Sequence, residues 1–197
     1  VGDKTTSTKV LTNYANPEQG ILDGLRKVTE QAGVALSDID MVIHGTTLAT
    51  NALIERRGAR TALITTDGFR DVLEMRTENR FEQYDLDIAL PQPLIPRPDR
   101  YTIRERVSAA GEVLLAMDDA EVEALLDVVL AGDYESIAIG FMHSYLNGNH
   151  ERRVRDAIVR RRPDLSVSIS CEVSPQMREY ERFNTVCANA YVRPVIS

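Results

Sequence analysis

Three short segments place hydroxyls, a histidine or an acid beside a glycine or at the close of an apolar run, as a ligand-binding turn requires. His44-Gly45-Thr46-Thr47 follows Asp40-Met41-Val42-Ile43. Its glycine lets backbone approach a ligand closely, its two hydroxyls donate or accept, and the amides that open the next helix favour an anion. The same four residues also serve as a plain turn with a threonine N-cap, and spacing alone favours that reading. Thr65-Thr66-Asp67-Gly68, with Arg70 a turn further on, closes a second β-rich run and reads equally well as an ordinary turn. His143-Ser144-Tyr145 follows the run ending at Met142 as His44 follows its own. Two histidines at strand ends suggest a site, while either also suits a hydrogen-bonded boundary position. Arg76, Arg80 and Tyr84 stand in an irregular stretch, where they either face a ligand or pair with Glu74, Glu78 and Glu82.

Other chemistries fit less well. His44, His143 and His150 form no close pair and have no cysteine near them, which argues against a metal site. Ser144 beside His143 lacks the Gly-x-Ser-x-Gly elbow of a hydrolase nucleophile, and Cys171 has no evident activating partner. No general acid or base emerges from the spacing. Arg152, Arg153, Arg155, Arg160, Arg161 and Arg162 make one helix strongly basic. A solvated face is the plain reading of that helix, and a docking face for an acidic surface is the sharper one.

The elements that must position these residues alternate. Asn16-Pro17-Glu18-Gln19 opens an amphipathic helix that Gly33 ends. Asp40 to Gly45 reads as a strand, a helix follows to Gly58, Thr61 to Thr66 is a second strand, and Asp67-Gly68 turns the chain into Phe69-Arg70-Asp71-Val72-Leu73. Strand, helix and strand in that order imply parallel pairing and a right-handed crossover. From Arg76 to Arg100 the periodicity fails, and Pro91, Pro93, Pro96 and Pro98 forbid a helix or a central strand. Tyr101 to Val107 and Val113 to Leu115, joined through Ala110-Gly111-Glu112, read as a hairpin that leaves the parallel sheet. Asp118 or Asp119 then caps a helix closed by Gly132, and Ser136 to Met142 is a buried strand. Asn149 caps a helix that Pro163 ends, Leu165 to Ser170 is another strand, and Ser174-Pro175 opens the last helix, which runs to Pro194. The expected organisation is one region in three stretches: residues 1–75, an irregular Pro-rich segment and hairpin over 76–117, and a second helix-strand part over 118–197.

Composition bounds the rest. The 197 residues carry 23 basic and 30 acidic side chains, a net charge of −7, and are 43% apolar, enough for an ordinary core without disulfide staples. The acidic balance argues against a general nucleic-acid binder. The longest apolar stretch, Leu125 to Ala131, is too short for a bilayer, and no basic-then-apolar leader opens the chain. The expectation is a cytoplasmic protein with two reduced thiols, Cys171 and Cys187. A start at Val1 rather than Met is expected of a piece of something longer.

The run from His44-Gly45-Thr46-Thr47-Leu48-Ala49-Thr50-Asn51 to Glu55-Arg56-Arg57-Gly58, followed by Ala62 to Glu74, resembles the N-terminal region of the hydantoinase A/5-oxoprolinase/acetone carboxylase family. The match continues through Asn79-Arg80, Tyr84-Asp85-Leu86, Pro93-Leu94-Ile95-Pro96-Arg97, Phe141-Met142-His143-Ser144-Tyr145, Glu179-Tyr180-Glu181-Arg182 and Asn189 to Pro194. Such a string, in the family's order, is far more specific than any single motif. The resemblance implies an ATP-dependent enzyme that phosphorylates a carbonyl or enolate oxygen, either to open a cyclic amide as in an N-methylhydantoinase A-like hydrolase or to carboxylate a ketone such as acetone or acetophenone. It implies an α/β fold of ribonuclease-H-like type, similar to the actin/sugar-kinase/Hsp70 ATPases, with ATP and Mg2+ as cofactors. Partners would be the remainder of its own chain and a separate hydantoinase B-like subunit, with no nucleic acid and no membrane. The family's Asp-x-Gly-Gly-Thr phosphate loop has no counterpart before Lys9, so this region is expected to be inactive by itself. His44, Gly45, Thr46, Thr47 and Asn51 are expected on the substrate or phosphate side of the interdomain cleft, Arg70, Arg80 and Tyr84 near its rim, and Asp67 and His143 are further candidates. A catalytically inactive interaction module that keeps the fold is the alternative outside the enzyme class.

Overall fold

Pro17 opens helix α1 (Pro17–Ala32) with Asn16 at the N-cap position, as the spacing predicts. Gly33 ends it in the left-handed conformation, φ 65°, its amide donating to Glu30. In this computed structural model the described residues are 4–11, 13, 16–43, 45, 47–77, 82 and 84–196, and they fall in two units, Val1–Thr46 and Thr47–Ser197. Within the first unit, Val10 packs over Gly24 of α1 and the Lys27 ammonium donates to the Lys9 carbonyl. The strand expected from Asp40 is not formed over residues 40–43, and Met41, Val42 and Ile43 are exposed. A strand needs a ladder partner to satisfy its amides and carbonyls, and the described residues of this unit supply none.

The second unit begins with α2 (Leu48–Ile54) and is built on four parallel strands. These are β1 (Thr61–Thr66), β2 (Arg100–Ile103), β5 (Ser136–Gly140) and β6 (Ser166–Ile169), in the order β2-β1-β5-β6. Parallel strands covered on both faces read as unbroken apolar runs rather than alternating ones, and every residue of β1 and β5 is buried. Ala62, Ile64, Ile137 and Ile139 face Val122, Leu126 and Val129 of α4 (Asp119–Ala131) and Val154 and Ile158 of α5 (Asn149–Arg161). Leu63 and Ala138 point to the other face, against Phe183, Val186, Cys187 and Ala190 of α7 (Glu179–Ile196). Gly140 lets α7 approach this closely, since a Cβ there would lie 2.7 Å from the Phe183 ring. Short helices α3 (Val72–Met75) and α6 (Ser170–Val173) follow β1 and β6.

Two expectations change. Tyr101 to Ile103 belongs to the parallel sheet as β2, paired with β1, and only Arg106–Val107 (β3) forms the antiparallel ribbon with Val113–Leu115 (β4). Both settings are extended, so alternation alone does not choose between them. The last helix starts at Glu179, not at Ser174, because Arg178 takes φ 84° and breaks the helical path. That helix also continues to Ile196, two residues past Pro194.

The arginine-rich helix is largely engaged within the unit. Asp119, Glu123 and Asp127, four residues apart on α4, face Arg153 and Arg161 on α5. Arg152 and Arg155 reach Glu172, and Arg162 reaches Asp164. These pairs are exposed and screened by water, so the row aligns two helices more than it stabilises them. No described helix is long and apolar enough to cross a membrane.

Candidate functional site

The chain leaves β1 toward β2 on one side and leaves β5 toward β6 on the other, so the two central strands mark the point where strand order reverses. In open α/β sheets that crevice, beyond the carboxyl ends, is where ligands bind. A buried polar chain crosses it. The Met142 amide donates to the Thr66 hydroxyl at 2.9 Å, and that hydroxyl donates to Glu105, just after β2. The other Glu105 oxygen lies 2.7 Å from Nδ1 of His150 in the first turn of α5. A carboxylate only accepts, so the His150 proton on this side sits on Nδ1. The Glu105 side chain is fully buried and ties the end of β1 to the start of α5.

A second network holds the ends of β5 and β6. Glu151, fully buried, accepts from the Phe141 and Cys171 amides, both at 2.8 Å, and from the Ser170 hydroxyl at 2.6 Å. Arg182, also fully buried, donates to the Phe141 carbonyl at 2.8 Å, the Gln176 carbonyl at 3.0 Å, Ser170 at 3.1 Å and Glu179 at 3.1 Å. Arg182 thus pairs with Glu179, is linked to Glu151 through Ser170, and secures the turn that carries His143. Burial above all pushes the thiols of Cys171 and Cys187 up to about 12, which keeps both as thiols at neutral pH.

Glu179 carries a pH signature. Burial alone would raise its carboxyl, but the His143 amide and the Arg182 guanidinium outweigh burial and hold it below its ordinary value of 4.5. A group whose folded value is depressed stabilises the fold fully above its unfolded value and loses that contribution as pH falls through the folded one. Glu179→Gln is therefore expected to flatten the acid limb of a stability profile taken by urea unfolding as the pH is lowered from neutral through 4.5. An acid limb as steep as that of the parent chain would show that this carboxylate is not held as described.

The structure separates the residues singled out by spacing. Asp67 and His143 each follow one partner of the Thr66–Met142 bond, and so share the carboxyl edge. Asp67 is exposed, in a turn that Gly68 completes at φ 83°. His143 takes φ 55°, rare for a residue with a Cβ, and its buried Nδ1 has no hydrogen-bond partner, lying 3.9 Å from Glu179. Arg70 is half-buried and donates to the Arg97 carbonyl at 2.8 Å. Thr47 stands at the N-cap of α2 without a side-chain cap bond, and Asn51 is exposed one turn on. Helix α2 packs through Ala52 on Tyr191 and Val192, late in α7, whereas Glu179 opens that helix beside His143. At 1.5 Å per residue those two ends of α7 are ~18 Å apart. Gly45 is exposed with open space around it, and Tyr84 is exposed. His44, Thr46 and Arg80 lie outside the described residues.

Spacing alone missed Glu105, His150, Glu151 and Arg182. A signal exists for three of them: His150 and Glu151 continue the Val154–Ile158 stripe of α5 backwards, and Arg182 shares the Phe183–Val186 stripe of α7. A polar residue on a buried helical stripe needs a buried partner.

The fold defines an open α/β domain with a four-stranded parallel sheet and a polar carboxyl edge. The chain belongs to the hydantoinase/oxoprolinase family: the family model for the hydantoinase/oxoprolinase N-terminal region matches residues 2–161. It is 36% identical over 96% of its length to an uncharacterized protein of Methanocaldococcus jannaschii and 34% identical over 92% to the caprolactamase subunit alpha of Pseudomonas jessenii. It is also 34% identical over 93% to the 5-oxoprolinase of Saccharomyces cerevisiae. The crystal structure of the ATP-dependent caprolactamase from Pseudomonas jessenii superposes on 89% of the chain with a TM-score of 0.78 at 35% identity. The nucleotide-free acetone carboxylase superposes on 94% with a TM-score of 0.83, at 22% identity, and shares the fold. The chain spans 28%, 27% and 17% of the three curated relatives' lengths, and 26% and 28% of the two solved chains.

Proposed function

We propose that this chain is the N-terminal region of an ATP-dependent cyclic-amide hydrolase, and that it contributes the carboxyl edge of its sheet to the assembled enzyme. The observation that carries the reading is the 34% identity, along nearly the whole chain, to both a caprolactamase subunit and a 5-oxoprolinase, two proteins named for lactam substrates. ATP would make an unreactive amide carbonyl electrophilic by phosphorylating its oxygen, with Mg2+ to neutralise the phosphates. The described residues do not fit a triphosphate cradle. The sequence contains no Gly-Gly pair, and the edge amides of Asp67, Phe141, Met142, His143 and Cys171 are already bonded within the protein. Residues beyond these 197 would supply that cradle within a ribonuclease-H-like ATPase fold, with a second subunit completing the enzyme as in the relatives named as subunits. A second reading, a subunit of a ketone carboxylase, draws on the 28% identity to an acetophenone carboxylase gamma subunit. The interaction-module reading loses support from the arginine-rich helix, whose guanidinium groups are mostly paired with α4 and Glu172.

The test is ATP hydrolysis by the whole protein with its partner subunit, offered a hydantoin, 5-oxoproline, caprolactam, or acetone with bicarbonate. Stimulation by a cyclic amide and none by the ketone is the expected result, and the 197-residue chain alone is expected to turn over nothing. Stimulation by the ketone alone would replace the hydrolase with the carboxylase.

A further inference from the structure

Most arginines near the sheet are engaged by the protein itself: Arg97 by Asp71, Arg100 by Glu74, Arg182 by Glu179. Arg104 and Arg106 are different. Neither guanidinium has an ion-pair partner among the described residues. Arg106 is held over the face of Phe69, its Cζ 4.7 Å from the ring centroid, and Arg104 is exposed. Glu105 lies between them in sequence but cannot neutralise them, because its oxygens are taken by Thr66 and His150 and its side chain is turned fully inward. With Asp67 and Leu115 these three residues line an open pocket of about 340 Å³.

The pocket stands at the ligand edge, since the Asp67 amide donates to the Ile103 carbonyl at the carboxyl ends of the neighbouring strands β1 and β2. With the backbone amides of that edge already bonded, an anion arriving there meets guanidinium groups instead. A planar guanidinium presents paired donors that match the oxygens of phosphoryl and carboxylate groups. We propose that Arg104 and Arg106 form an oxyanion subsite for a phosphoryl or carboxylate group of a substrate or product, with Asp67 accepting from a protonated oxygen or amide N–H of the same ligand. Asp67 selects against a fully ionised polyanion and for a small ligand that carries both an oxyanion and a donor. This inference rests on reading the carboxyl edge as the ligand face, and its test needs no turnover, so it can fail while the proposed activity stands.

The test titrates the isotopically labelled 197-residue chain with inorganic phosphate and, separately, with glycolate at constant ionic strength, following amide resonances by NMR. Saturable shifts confined to Asp67–Phe69 and Arg104–Val107 are expected. The Arg104→Gln/Arg106→Gln variant is expected to bind about tenfold more weakly or worse, as loss of charge-assisted bonds implies. Arg160→Gln, on a helix face and also without an ion-pair partner among the described residues, should leave affinity unchanged. Saturation by phosphate alone assigns a phosphoryl group, by glycolate alone a carboxylate, and by both the shared oxyanion chemistry. No saturable shift with either anion, or equal binding by the double variant, would overturn the subsite. Arg104→Gln by itself changes only an exposed side chain and keeps the test available should the double variant not fold.

Discussion

Arg182→Met is expected to lower the stability of the second unit by about 3–5 kcal/mol, because it removes a fully buried guanidinium and leaves the acids it serves, buried Glu151 and partly buried Glu179, in place. The methionine keeps most of the volume, so the loss reports electrostatics rather than a cavity. Glu151 would remain buried as a carboxylate with no cation linked to it through Ser170, Glu179 would lose its guanidinium, the Gln176 carbonyl would lose the Arg182 donor, and the Phe141 carbonyl would keep only the Ser144 amide. Against a typical total of about 5–15 kcal/mol, this is a large share of what holds a domain together. Arg182→Lys keeps the charge but not the planar fork, so it should fall between the two. Chemical denaturation measures both. A loss below about 1 kcal/mol in the methionine variant would mean that Arg182 is not desolvated as the structure describes.

Glu105→Leu is expected to cost about 3 kcal/mol and, unlike the Arg182 change, to act at the candidate site. It strands the imidazole Nδ1–H of His150 and leaves the Thr66 hydroxyl proton without its acceptor, both in a buried setting that has given up water. Thr66 is then free to rotate, and the Met142 amide, which it accepts from, should lose hydrogen-exchange protection. The exchange measurement separates this prediction from simple destabilisation: Met142 should open before the amides of β1 and β5 do. Uniform loss of protection across the sheet would count against a local role. Because Glu105 sits between Arg104 and Arg106, the same change should also loosen the wall of the oxyanion pocket.

Much of the second unit is legible in the sequence alone. Asp118 caps α4 by accepting from the Ala120 amide, a local contact that a sequence displays directly. The apolar runs of β1 and β5 announce strands buried on both faces, and the structure places them at the centre of a parallel sheet. Tyr101 to Ile103 was harder, since an extended segment pairs as readily in a hairpin as in a parallel ladder. The choice fell to β1, whose Leu63 to Thr66 register with Arg100 to Ile103 is nonlocal. The start of α7 likewise turned on one residue, Arg178, whose positive φ nothing in its neighbours announces.

The candidate site was legible in part. Asp67 and His143 were visible because they follow apolar runs, and a ligand edge must lie at strand ends. The groups that hold that edge were not, because each is defined by a partner far along the chain: Thr66 and Met142 are 76 residues apart, Glu105 and His150 are 45 apart, and Arg182 and Phe141 are 41 apart.

The sequence by itself determined the α/β class of the second unit, most of its helices and strands, and membership of the hydantoinase/oxoprolinase family, since periodicity, caps and motif strings are written within short windows. Only the tertiary structure decided which charges are neutralised inside and which remain available outside. Arg182 and Arg104 are the same residue type in one chain. One is buried against Glu179 and two carbonyls, and the other stands exposed at the mouth of a pocket because the acid beside it is turned inward to Thr66 and His150. Burial and long-range pairing set the electrostatic role of a side chain, and neither is encoded within the few residues around it.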